Sequence, residues 1–148
     1  MSADDGARRV PLAALAAEPL DLAAHVAAVT HRRAGAVATF VGQVRDHDPS
    51  VTGEVVALDY SAHPDAGAVL RRLVEAAAGG DGVLGVAVSH RVGLLEVGEP
   101  AIVAAVATAH RDLAFAVCRD VVERVKAELP VWKREVLRDG SHVWVGSA

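Results

Sequence analysis

Between Ala101 and Pro130 the chain passes from its longest apolar run straight into its longest helical pattern, and this junction constrains the fold most. Ala101 to Ala109, broken only by Thr108, is about half of what a membrane-crossing helix requires, and 101–108 reads as a strand. From about Ala109 to Leu129, residues Ala114, Val117, Cys118, Val121, Val125 and Leu129 recur on one stripe, with Arg119, Asp120, Glu123, Arg124 and Glu128 mostly opposite. Pro130 ends that helix, having no amide hydrogen to continue it. A one-sided helix must bury its stripe against another layer, so an apolar strand feeding such a helix implies a mixed architecture.

The rest of the pattern agrees. Residues 9–17 are a short apolar lead-in, and Asp21 caps a predicted helix with Leu22, Val26 and Val29 at helical spacing, ending near Gly35. Ala36 to Val44 reads as a strand bounded by the turn residues Asp46-His47-Asp48-Pro49, Glu54 to Tyr60 reads as another, and the two are expected to pair as a hairpin. Pro64 opens a second helix carrying Ala68, Leu70, Leu73, Val74 and Ala77, which Gly79-Gly80 stops. Strands follow at 83–91 and 101–108, and after the long helix Val131 to Leu137 and His142 to Val145 form a terminal hairpin around Asp139-Gly140. Hairpins alternating with three helices favour an α+β domain, helices on a largely antiparallel sheet, over a regular βαβ array. At 148 residues the expectation is one domain over 1–148 that buries about two-thirds of its surface without disulfides.

Thirty alanines and only five aromatic residues leave Val, Leu and Ala to build the core, a composition that excludes intrinsic disorder. The single cysteine, Cys118, excludes a disulfide framework within the chain and a cysteine-based metal cage. Its place on the apolar stripe makes it a packing residue rather than a nucleophile. Asp4 and Asp5 stand where a signal peptide would be positive, so a cytoplasmic protein is expected. A net charge of −4 argues against a global nucleic-acid footprint, yet residues 108–138 carry seven basic and five acidic side chains, which allows a local anion site.

Gly80-Asp81-Gly82-Val83-Leu84-Gly85 matches a dinucleotide fingerprint only in letters, because helix precedes strand here, and it reads as a turn. The seven histidines show no metal-ligand spacing, so no metal is expected. Ser89 and His90 are strand neighbours facing opposite ways, which denies a serine-hydrolase geometry. What remains is cations at element ends. Arg45 ends a strand near Gly42; His110 and Arg111 open the long helix, where exposed amides already favour an anion; Lys126 lies in its last turn and Lys133 follows Pro130. Lys126 and Lys133 are the only lysines, a compact titratable amine at each of two turn positions in a chain that otherwise uses arginine. On charge pattern alone a bland account competes: Arg45 pairs with Asp46 or Asp48, Lys126 suits a helix C-terminus, and Lys133-Arg134-Glu135 forms a solvated strand.

Several segments then act together: Gly35-Ala36-Val37, Phe40-Val41-Gly42-Gln43-Val44-Arg45-Asp46-His47, Ser89-His90-Arg91-Val92-Gly93, Ala109-His110-Arg111, and Val125-Lys126 through Leu129-Pro130-Val131-Trp132-Lys133-Arg134-Glu135. In this combination the chain resembles the large, catalytic subunit of molybdopterin synthase, in order from about Pro19 to Val145. The resemblance implies an α/β hammerhead with an added antiparallel β subdomain. It also implies a sulfurtransferase of molybdenum cofactor biosynthesis, in which a small ubiquitin-like subunit carries a C-terminal thiocarboxylate. Two sulfurs enter cyclic pyranopterin monophosphate (precursor Z) to form the dithiolene of molybdopterin.

The thiocarboxylate supplies the nucleophile, so no cofactor is implied, and the large subunit offers positioning, proton transfer and charge stabilisation. Carried over residue by residue, Lys126 and Lys133 are catalytic. Gln43, Val44 and Arg45, with His110 and Arg111, hold the pterin phosphate, and Arg134 and Glu135 line the same wall. Gln43 stands where family members often have lysine or arginine. The implied partners are the pterin phosphate, a separate small carrier ending in Gly-Gly, and a second copy of the chain, giving a homodimer within a heterotetramer. Neither a nucleic acid nor a membrane is among them. The alternative from another class is a non-catalytic module whose cations dock an anionic ligand or partner.

Overall fold

A computed structural model describes residues 12–146; residues 9–11 of the apolar lead-in and Asp4 and Asp5 lie outside them. Eleven elements follow one another: β1 (Leu12–Ala16), α1 (Leu22–Ala28), β2 (Ala36–Gln43), β3 (Val55–Ala62), α2 (Ala66–Ala78), β4 (Val83–Arg91), β5 (Gly93–Glu96), β6 (Pro100–Thr108), α3 (Arg111–Glu128), β7 (Val131–Leu137) and β8 (His142–Gly146). They form two four-stranded sheets, ordered β1-β4-β6-β2 and β5-β3-β7-β8.

The apolar run becomes β6, buried from Ala101 to Thr108. A strand buried on both faces sits inside a sheet, and β6 pairs antiparallel with both β4 and β2, while β1 adds parallel to β4. Period-two alternation divides its side chains. Ile102, Ala104 and Val106 join Val86 and Val88 of β4 beneath α2 and α3, where Leu70, Leu73, Val74, Cys118, Val121, Val125 and Leu129 complete the main core. Ala105 and Ala107 face the other way and, with Ala87, meet Val29 just beyond α1. Asp21 accepts the Ala23 amide at 3.0 Å and caps α1, as its sequence position predicts. His25 then ties this helix to the sheet. Its Nδ1–H donates to the Asp21 carbonyl at 2.6 Å, and its Nε2 accepts the Ser89 hydroxyl at 2.8 Å.

The second sheet has its own core, in which Val55, Leu58, Tyr60, Leu95 and Leu137 pack with Ala101 of the first and with Val44 just past β2. Here the expected hairpin of 36–44 with 54–60 is corrected: β2 pairs with β6, and β3 lies in the other sheet between β5 and β7. The apolar β6 needs neighbours on both edges, and β2 takes one of them. The connection over 44–54 therefore crosses between sheets instead of closing a turn, and the Val44 amide still bonds the Glu99 carbonyl just before β6. The four-residue β5 escapes the sequence pattern, and the first helix stops at Ala28, short of Gly35. The terminal hairpin β7–β8 and the three helices form as expected. Gly82, with φ +81°, makes the α2–β4 junction a tight turn, which disposes of the fingerprint reading.

Candidate active site

A cavity of about 390 Å³ opens where the two sheets and the C-terminal turn of α3 converge. β2 contributes Phe40, Val41, Gly42 and Gln43, and the crossover contributes Arg45, His47 and Asp48. Val55, Leu58 and Tyr60 come from β3, His90 from β4, Ala101 and Ile102 from β6, Lys126 from α3, and Lys133 and Glu135 from β7. The strand pairing of β2 slips at Gly42/Gln43, which re-aims the chain as it leaves the sheet. A Cβ on Gly42 would stand 2.6 Å from Ile102 Cγ2 and 3.2 Å from the Phe40 ring, so protein atoms already occupy its bare face.

Seven sequence-predicted residues divide by geometry into those inside this cavity and those outside it, while Lys126 and Lys133 are both inside. Gln43, Arg45 and Glu135 line it too. Val44 adjoins them in sequence, but its side chain is buried in the second core. Arg134 is turned away: in a strand neighbours alternate, so with Lys133 and Glu135 inward Arg134 points out, bonding Asp59 at 3.0 Å and lying 6.0 Å over the Trp144 ring. The expectation that Arg134 shares a wall with Glu135 is corrected accordingly. His110 and Arg111 sit at the opposite end of α3 from Lys126, about 22 Å away at the helical rise. One chain does not bring them to the cavity.

The bland account of the cations fails in part. Among the described residues, neither Arg45 nor Lys126 forms an ion pair. Lys133 Nζ does, at 3.9 Å from Asp48 and 3.8 Å from Glu135. Desolvation lowers the Lys126 pKa, and the charges of Lys133 and Arg45 lower it further against the pull of Glu123. Burial and the adjoining Asp48 carboxylate push Glu135 up to about 7. The same contact with Glu135, together with donation from the Ser50 amide and hydroxyl, holds Asp48 far below the usual carboxylate range.

Asp48, Tyr60 and His90, to which the sequence alone assigns no role at a site, line the cavity as well. The ring of Tyr60 meets His90 edge-on at 5.0 Å, and burial pushes its hydroxyl up to about 12. His90 donates Nδ1–H to the Arg91 carbonyl at 2.7 Å, and burial lowers its pKa. Strand alternation was the available signal: Ser89 faces α1, which sends His90 to the cavity side. Cys118 is buried in the main core with its thiol pKa raised by burial, the reverse of an activated nucleophile. The site is thus a pocket of amines, a guanidinium and a high-pKa carboxyl that suits an anionic substrate and can donate protons, with its cysteine packed away elsewhere.

Residues 15–128 match the model of the MoaE protein family, a span that includes Arg45 and Lys126 and stops before Lys133. The chain is 36% identical over 127 residues to the molybdopterin synthase catalytic subunit of Thermoplasma volcanium, covering 85% of this chain and 89% of that one. It is 36% identical over 140 residues to molybdopterin synthase catalytic subunit 1 of Mycobacterium tuberculosis, covering 92% and 91%. Its fold superposes on the crystal structure of molybdopterin synthase from Staphylococcus aureus with a TM-score of 0.80 at 27% identity, covering 89% and 95%.

Proposed function

The chain belongs to the MoaE family and is a catalytic subunit of molybdopterin synthase, an enzyme of molybdenum cofactor biosynthesis; from that premise we propose that the cavity holding Arg45, Lys126 and Lys133 is where sulfur enters the pterin. The observation that carries this reading is the convergence on one cavity of three cations, from the crossover, α3 and β7. Sulfur comes from the thiocarboxylated C-terminus of a small ubiquitin-like carrier ending in Gly-Gly, because the chain's own thiol is buried away from the cavity. No further cofactor takes part.

Arg45, with Gln43 beside it, grips the phosphate of cyclic pyranopterin monophosphate. As carrier sulfur attacks a pterin carbon, Lys126 and Lys133 neutralise the developing charge and give a proton to the leaving oxygen. A lysine whose pKa is lowered is the better acid for this step. His110 and Arg111 can join the phosphate site only from a second copy, since α3 keeps them far from Lys126 in their own chain. The working assembly is then a homodimer with a carrier bound at each end. The first sheet with its helices corresponds to the α/β hammerhead, and the second sheet, with its separate core, to the added antiparallel subdomain. No helix among the described residues is long and apolar enough to cross a membrane; the cytoplasmic location is part of the same proposal and rests on the family resemblance.

The test is single-turnover conversion with pre-formed thiocarboxylated carrier, following the dithiolene product while circular dichroism confirms the fold. Lys126→Ala and Lys133→Ala should each slow the chemical step by about 10²–10⁴ with pterin binding far less affected, and Lys→Arg should not rescue. If both alanine variants turn over at the wild-type rate, the catalytic assignment is wrong. If the wild type binds the pterin and yields no dithiolene, a binding module is the better description.

A further inference from the structure

Two carboxyl groups flank Lys133, and the proposed reaction uses neither. Asp48 comes from the crossover and Glu135 from β7, and each holds an oxygen within 4 Å of the same Nζ. Asp48 Oδ1 takes the Ser50 amide at 2.9 Å and the Ser50 hydroxyl at 2.7 Å, which leaves Oδ2 for the cavity. Glu135 is 1% exposed, and its Oε2 is buried without any hydrogen-bond partner. An ionised carboxylate with a bare, buried oxygen is costly, and two ionised carboxylates are acceptors only, so they repel. One proton between them removes both penalties.

We propose that Asp48 and Glu135 hold a single proton between them as the proton reserve of Lys133, which makes Asp48 a positioning residue for that amine. This rests on the reading of Lys133 as the acid at the reacting carbon. The Lys133 ammonium gives one proton to the leaving oxygen and becomes an amine. The proton held by Glu135 passes to the amine, leaving two carboxylates, and one proton taken up from water restores the pair. The net proton therefore comes from solvent. At rest the reserve also sets the charge of the cavity: three cations against one carboxylate leave a double positive charge facing a phosphate, where two ionised carboxylates would leave half of it.

The groups facing the pair are Arg45 and His47 from the crossover, Tyr60 from β3, His90 from β4, Lys126 from α3 and Lys133 itself. Arg45 and Lys133 pull the Glu135 carboxyl toward ionisation. Burial and Asp48 outweigh them, holding it at about 7.

Carbon-13 labelling of the glutamate carboxyls in the full chain tests the proposal, the Glu135 signal being assigned by its loss in Glu135→Gln. In the wild type Glu135 should titrate near neutrality, and in Asp48→Asn its midpoint should fall by about one pH unit or more. The single-turnover rate with thiocarboxylated carrier and cyclic pyranopterin monophosphate should fall as pH rises through the Glu135 midpoint, and in Asp48→Asn this limb should move down by the same interval. A wild-type Glu135 that titrates with the ordinary glutamates overturns the proposal even if Asp48→Asn does not fold. So does a rate profile that stays put in Asp48→Asn while the carboxyl midpoint moves. Wild-type turnover in Lys133→Ala, with Glu135 still titrating near neutrality, overturns it through the reading of Lys133 on which it rests, a failure distinct from the other two.

Discussion

Arg45 and Arg134 were both expected at the substrate, yet they lie in opposite settings. Arg45 opens onto the cavity without a carboxylate partner among the described residues, while Arg134 is spent on Asp59 and Trp144. Arg45→Ala should therefore weaken binding of cyclic pyranopterin monophosphate about ten- to a hundredfold, as loss of a charge-assisted phosphate bond does. Arg134→Ala should leave that affinity within about twofold; calorimetric titration at low ionic strength measures both, and equal losses would return Arg134 to the site. Alternation along β7 already carries this difference in the sequence, because Lys133 and Arg134 cannot share a face of one strand. Asp48 was harder to see. Its residue type explains itself as a turn former, and only the crossover's path brings it to Lys133.

At the scale of elements, the sequence carries the helices and strands well, because caps, Pro130 and the apolar run act locally. It misassigns the partner of β2, because pairing is decided by which strand β6 lacks, a matter of global burial. Gly35 records that choice. A Cβ there would collide with the carbonyl oxygen of Ala109, so the start of β2 meets the end of β6 only through a bare backbone. Gly35→Ala should destabilise the chain by about 1–3 kcal/mol in urea unfolding, since a backbone oxygen cannot swing aside as a side chain can. A variant as stable as the wild type would mean that this junction is loose. His110 and Arg111 show the corresponding limit for the site. Their motif is plain in sequence, but a helix of 18 residues carries it away from Lys126, and linear order gives no sign of that distance.

For the molecule as a whole, acid titration reads the cavity through stability. Glu135 is raised from 4.5 to about 7, so between those values the folded chain holds a proton that the unfolded chain releases. Its contribution is complete below the lower value and is lost as pH rises through the upper one. Asp48, held low, acts in the opposite sense and matters only below about its ordinary 3.8. His90, lowered from 6.5, gives stability that grows as pH approaches that value, but it does so equally in Glu135→Gln. From about pH 5 to about pH 8 the wild type should therefore lose on the order of 1–2 kcal/mol relative to Glu135→Gln, less than the full shift because part of it falls below pH 5 and the effective dielectric around the pair is well above that of dry protein. Parallel stability curves would show that Glu135 titrates normally. The connector between α3 and β7 has a different consequence. The two amines are tethered by the six residues between them, among which Pro130 breaks the helix and its carbonyl is fastened to the His63 amide. That tether is a ruler graduated in whole residues: one residue inserted between Leu129 and Lys133 would turn Lys133 outward and bring its neighbour to the cavity. Substitutions around the pocket can vary by degrees, but a connector longer or shorter by one residue breaks the pair of amines at a stroke.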